Sequence, residues 1–112
     1  MDLVLDSRTA GDWAVIDVKG EVDLYTAPKL RDRIVKLVDE GSYRIAINME
    51  GVEFMDSTGL GVLVAGLKRV REHDGMLALA APREPVRRVL AVTGLNEVFP
   101  IHERVEDVTG SP

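Results

Sequence analysis

The sequence predicts one α/β domain built around a mixed sheet of four or five strands. Three observations lead there. The chain has 112 residues, enough for one domain and too few for two. Short apolar runs bounded by turn residues alternate with longer segments whose apolar residues recur every three to four positions. Their order reads β-β-α-β-α-β-α-β-α, and each helix lying between two strands of one sheet implies a parallel, right-handed crossover.

Leu3-Val4-Leu5 reads as a short first strand and Trp13 to Val18 as a second, with Gly11-Asp12 as the turn between them. Gly20 is expected to end the second strand. A helix follows with Thr26 as its N-cap. Pro28 falls in its first turn, where a missing N–H does no harm. Leu30, Ile34, Leu37 and Val38 make its inner stripe, and Gly41 stops it. Tyr43 to Asn48 is the third strand. The next helix begins near Ser57 or Thr58, runs to about His73 and stops at Asp74-Gly75. Met76 to Ala80 is a fully apolar fourth strand, expected at the centre of the sheet. Pro85 opens a third helix with Val86, Val89 and Leu90 inward and Gly94 as its stop. Val98 to Ile101 is a last strand, with Pro100 suited to a sheet edge. Glu103 to Val108 makes a final helical turn or two. The domain is assigned to residues 1–109, with 110–112 as a loose end.

This order has a functional consequence. The loops leaving the second, third and fourth strands all emerge at the carboxyl edge of the sheet, where open α/β sheets bind ligands and partners. Segments 20–26 and 49–57 become spatial neighbours although about thirty residues separate them. The second of these leads into Phe54-Met55-Asp56-Ser57-Thr58-Gly59-Leu60-Gly61, which sets a carboxylate and two hydroxyls at the mouth of an apolar helix. The plain structural reading of Ser57 is a helix N-cap. The same position also suits a phosphate, because the first-turn N–H groups lack partners.

Charge on that edge is one-sided. Glu21 and Asp23 are the charged residues between Gly20 and Pro28, and Glu50, Glu53 and Asp56 are those between Ile45 and Leu67. Basic residues that come after them include Lys68, Arg69, Arg71, Arg83, Arg87 and Arg88, where they suit helix ends or a solvated face. A phosphoryl group on Ser57 adds about −1.5 to −2 charges to an already acidic face. It would therefore block a partner locally rather than refold the domain.

The Asp56-Ser57-Thr58-Gly59-Leu60-Gly61 string resembles the phosphorylation motif of the anti-sigma factor antagonists, the stand-alone STAS domains of bacteria. Gly20-Glu21-Val22-Asp23-Leu24-Tyr25-Thr26-Ala27-Pro28 is similar to the second signature of that family, and Thr93-Gly94-Leu95 with Val98-Phe99 matches near the end. The spacing fits over essentially the whole chain. The likeness is to antagonists of actinobacterial development and stress regulation. The resemblance implies a STAS-like fold and a partner-switching role in sigma factor regulation. The unphosphorylated protein captures an anti-sigma factor that is also a serine kinase and frees the sigma factor. Phosphorylation of Ser57 ends that binding, and a PP2C-type phosphatase restores it. Residues implied at the docking face are Glu21, Asp23, Tyr25, Thr26, Met55, Asp56, Ser57, Thr58, Gly59 and Leu60. Leu60 serves equally well as core, and Tyr25 as a plain loop residue.

Composition narrows the alternatives. A net charge of −5, from 19 acidic and 14 basic residues, argues against nucleic acid. No apolar run approaches the roughly 18 residues of a membrane span. Met1-Asp2-Leu3-Val4 does not read as a secretory signal, so the cytoplasm is expected. Without cysteine there is no disulfide or thiolate chemistry, and neither a metal nor a cofactor is expected. Gly59-Leu60-Gly61 followed by Gly66 fits no phosphate-binding loop, and His73 and His102 lie away from Ser57, so catalysis is not expected. The competing reading is a non-switching STAS interaction module of a transporter or a larger signalling assembly.

Overall fold

The computed structural model describes residues 2–110. Strands β1 (Val4–Ala10) and β2 (Trp13–Val22) form an antiparallel hairpin closed by the pair Ala10↔Trp13. Strands β3 (Arg44–Met55), β4 (Met76–Ala80) and β5 (Ile101–His102) add in parallel, giving the spatial order β1-β2-β3-β4-β5. Helices α1 (Ala27–Asp39), α2 (Ser57–Arg71) and α3 (Glu84–Thr93) cross between the parallel strands. A short 3-10 turn (Leu95–Glu97) precedes β5, and α4 (Val105–Thr109) ends the described chain.

Because β2 to β5 follow one another across the sheet without reversal, crossovers of one hand put α1, α2 and α3 on the same face. The buried residues agree. Leu30 and Ile34 of α1, Leu63, Leu67 and Val70 of α2, and Val86 and Leu90 of α3 share one core. Beneath them lie Ile16, Val18, Ile45, Ile47, Leu77 and Leu79, every second residue of their strands. A side chain of this size contributes about 1.5–3 kcal/mol when fully buried, so this layer supplies most of the driving force. The opposite face is covered only in part. There Val105 packs on Val15, Ala46 and Ala80, flanked by Trp13 and Val108. Elsewhere that face carries a polar cluster. Arg8 donates from Nε to Asp17 at 2.8 Å, and Asn48 Nδ2 donates to the same carboxylate at 2.7 Å.

Several elements run differently from the sequence expectation. β1 extends to Ala10, and Leu3 is buried just before it. Gly20 does not end β2. It sits at φ +119 inside the strand, beside register shifts that let β2 continue to Val22. A Cβ there would stand 2.7 Å from the Asp2 carbonyl oxygen, so glycine is what lets the backbone pass. β3 continues through Glu50-Gly51 to Met55 because β2, across two irregularities, pairs with it as far as Val22↔Met55. The central strand is β3, and β4 lies between it and the two-residue β5. Val98 and Phe99 precede β5, since the 3-10 turn occupies the chain just after Gly94. Gly110 caps α4 with φ 71, and the remainder of the expected loose end, 111–112, lies outside the described residues.

Candidate functional site

Parallel pairing brings the two signature segments together. Glu21 is in register with Phe54, and Val22 with Met55. One residue further on, the Asp56 amide donates to the Val22 carbonyl at 3.1 Å. The turn that carries Asp23 to Thr26 and the start of α2 therefore rise from adjacent strand ends on one edge.

The first of these segments is tied down by its own side chains. Asp23 Oδ1 accepts from the amides of Tyr25 at 2.9 Å and Thr26 at 3.0 Å. The Thr26 hydroxyl accepts from the Asp23 amide at 2.9 Å and donates to the Glu21 carbonyl at 2.7 Å. Thr26 sits at the expected N-cap position of α1, but its hydroxyl makes no capping bond, because it reaches backward to close this turn. The Thr26 amide and the other hydrogen bonds to Asp23 hold its carboxyl below the usual carboxylate range. The turn leaves Leu24 and Tyr25 standing out, at 62% and 88% exposure.

At the second segment the capping role falls to Asp56. Its backbone is extended, and its Oδ1 accepts from the Gly59 amide at 3.1 Å. Ser57 is therefore the first helical residue and not the cap. It is exposed, and its hydroxyl has no hydrogen-bond partner among the described residues. Thr58 beside it is half-buried. Below them the first turn of α2 is pressed onto the strand ends. A Cβ on Gly59 would lie 2.7 Å from Met55 Cγ and 2.8 Å from Val22 Cγ1. This close approach fixes where the Ser57 hydroxyl is displayed.

The structure divides the expected docking residues into two groups. Ser57 and Tyr25 are exposed, and Glu21, Asp23, Thr26, Asp56 and Thr58 are half-buried at the same edge. Met55, Gly59 and Leu60 are buried, and for Leu60 this is the core position that its place in the apolar stripe also allowed. They end β3 or face inward from α2, so they shape the site from beneath. Two exposed apolar residues join the edge unforeseen, Leu24 and Phe54, the latter 46% exposed. Alternation along β3 does not place Phe54, because it breaks at the register shift between Val52, which is buried, and Phe54. The acidic stretch also has a cation against it, since Arg83 Nε donates to the Glu50 carbonyl at 2.7 Å. His73 stacks on Tyr43 with ring centroids 4.1 Å apart, beyond the far end of α2 from Ser57. No group of three or more metal-ligating side chains occurs among the described residues.

Residues 5–108 match the family model of the STAS domain. An anti-sigma-B factor antagonist of Staphylococcus epidermidis is 34% identical over 106 residues, covering 95% of this chain and 98% of the relative. The crystal structure of an anti-sigma factor antagonist from Mycobacterium paratuberculosis superposes with a TM-score of 0.87 at 28% identity, covering 96% of this chain and 91% of that one. The Bacillus cell fate determinant SpoIIAA in its phosphorylated form superposes with a TM-score of 0.72 at 25% identity, covering 95% of each chain.

Proposed function

The chain belongs to the STAS domain family, and on that premise we propose that it is an anti-sigma factor antagonist switched by phosphorylation of Ser57. Unphosphorylated, it binds an anti-sigma factor that is also a serine kinase, and the sigma factor is released. The kinase transfers the γ-phosphoryl group of ATP to the Ser57 oxygen, ADP is left, and the hydroxyl proton passes to a base on the kinase. A PP2C-type phosphatase hydrolyses the phosphoserine and resets the cycle. Binding an anti-sigma factor implies a place in the cytoplasm, where sigma factors act. Among the described residues no helix is long and apolar enough to cross a membrane.

One observation carries this reading. Asp56 caps α2, so the Ser57 hydroxyl is exposed and unused by the fold. The half-buried Thr58 is the poorer acceptor. The name of the Staphylococcus relative and the phosphorylated form of SpoIIAA support the same cycle.

The phosphoryl group acts where it is placed. It stands beside the Asp56 carboxylate, which already holds the Gly59 amide, and only the Ser57 and Thr58 amides of the first turn remain open to it. In the complex it also faces the phosphates of the nucleotide that delivered it. Bulk and like charge both oppose rebinding, while the domain keeps its shape.

The test is to incubate the protein with ATP and each serine-kinase anti-sigma factor of its source genome, then map the phosphopeptide. One phosphate on Ser57, abolished by Ser57→Ala, is expected. Label on Thr58 alone would move the site. Tight binding without any phosphorylation would favour the non-switching module instead.

A further inference from the structure

We infer that the free edge of β1 pairs with β1 of a second copy of this chain, joining two five-stranded sheets into one across a two-fold axis. The inference is independent of the antagonist reading. It concerns the lateral edge of the sheet, whereas Ser57 stands at the carboxyl edge.

The two outer strands of the sheet differ. β5 has two residues, too few to template another strand, whereas β1 has seven. β1 pairs only with β2, in an unbroken register from Val4↔Lys19 to Ala10↔Trp13. Its other side therefore presents unpaired backbone groups. Edges of this length are usually blunted by a bulge, a proline or a lysine. Residues 4–10 contain none of these.

Charge selects both the occupant and the register. An antiparallel continuation keeps each face of the sheet on its own side, so a residue of β1 must lie opposite its own copy on the axis. The registers that pair most of the strand centre on Asp6, Ser7 or Arg8. Centring on Asp6 sets two carboxylates opposite each other, and centring on Arg8 sets two guanidinium groups opposite each other. Centring on Ser7 sets Asp6 opposite Arg8 of the second copy, twice, and uses all seven residues. Opposite charges facing across an antiparallel pair stabilise it, and like charges destabilise it. The same register lays the exposed Val4 beside Ala10 of the second copy.

Asp6 lacks a partner within its own chain. It is exposed, lies directly across from Asp17 of β2, and makes no ion pair or hydrogen bond among the described residues. Arg8 binds Asp17 through Nε and Nη2, which leaves Nη1 for a second carboxylate. On the helix-bearing face Arg33 donates to Ser7 Oγ at 2.7 Å, so two guanidinium groups approach the axis there. The dimer therefore depends on the Asp6–Arg8 pairs of the other face. Because the axis stands normal to the sheet, the two Ser57 edges point in opposite directions, and both stay open.

Sedimentation velocity of the full chain at about 0.15 M salt, over loading concentrations from about 5 to 500 μM, measures the association. Wild type should pass from monomer to dimer within that range. Asp6→Arg gives Asp17 a cation directly across β2 but sets like charges against each other between copies. It should raise the dimer dissociation constant at least about tenfold, with the unfolding midpoint retained. Adding Arg8→Asp to Asp6→Arg reverses both charges, restores opposite pairs and should recover most of that loss. Ser57→Asp should leave the constant within about twofold of wild type. Wild type that stays monomeric at every concentration refutes the dimer and leaves the edge to a different strand. A dimer that Asp6→Arg does not weaken, that the added Arg8→Asp does not rescue, or that Ser57→Asp dissociates uses another surface, and each result equally refutes the β1 pairing. The antagonist reading stands under all of these results, because it is read by phosphorylation and anti-sigma factor binding.

Discussion

Gly59→Ala and Gly61→Ala make the same chemical change two residues apart in α2, and the structure predicts opposite signs. Replacing a helical glycine by alanine normally stabilises by about 0.5–1 kcal/mol, because the unfolded chain loses freedom and the helix gains a better residue. At Gly61 nothing lies within 4 Å of the new Cβ, so that gain should appear in full. At Gly59 the Cβ would meet Met55 Cγ at 2.7 Å and Val22 Cγ1 at 2.8 Å. Met55 can turn aside, but the β-branched Val22 is stiff. Overpacking of this kind costs about 1–3 kcal/mol, which outweighs the gain. The expected result is Gly61→Ala more stable and Gly59→Ala less stable, separated by about 2 kcal/mol. At this chain length that is roughly 8 °C between the two unfolding midpoints. Calorimetry or chemical denaturation with an unchanged m-value reads it directly. Gly59→Ala should also slow phosphorylation of Ser57, because the first turn of α2 must lift off the strand ends. Equal stability of the two variants would refute the claim that tight packing under Gly59 positions the site.

Two carboxylates give further expected outcomes. Asp56→Ala removes the acceptor for the Gly59 amide and should cost about 1 kcal/mol, whereas Asp56→Asn should retain most of the stability, as read by urea denaturation. Burial pushes the Asp17 carboxyl up, but hydrogen bonds from Arg8 and Asn48 and the Arg8 charge outweigh it and hold it below the usual carboxylate range. A depressed carboxylate contributes stability above its unfolded pKa and loses it as pH falls through the folded value. The unfolding free energy should therefore decline below about pH 4, and Asp17→Asn should flatten that decline.

Periodicity and turn residues made much of this fold legible. The stripe of Leu30, Ile34, Leu37 and Val38 located α1, and the Ser57 helix begins at the expected residue. Less visible was what depends on pairing across the chain. Glu50-Gly51-Val52-Glu53 has loop composition, yet it stays in β3 because β2 pairs with it as far as Val22. Gly20 has the composition of a strand end and is instead an irregular position inside one. At the site, apolar spacing places a helix boundary only to within a residue or two. It could not tell a capping Ser57 from a capping Asp56, and a hydrogen bond to Gly59 settles which. Leu60 heads the apolar stripe of α2 and is buried as that stripe allows, whereas Met55 and Gly59 carry no such signal. For those two, nearness to Ser57 in sequence says nothing of which side of the helix or strand end they face.

The central claim is that one phosphate on Ser57 switches partner binding without unfolding the domain. Its most direct test compares stoichiometric phospho-Ser57 protein with the unmodified form in binding to the anti-sigma kinase, alongside the thermal unfolding of each. Affinity should fall by about a hundredfold, equivalent to roughly 3 kcal/mol, while the unfolding midpoint stays nearly unchanged, since negative charge at a helix N-terminus is tolerated. Equal affinity of the two forms would contradict the account and leave the exposed Ser57 hydroxyl without a regulatory role.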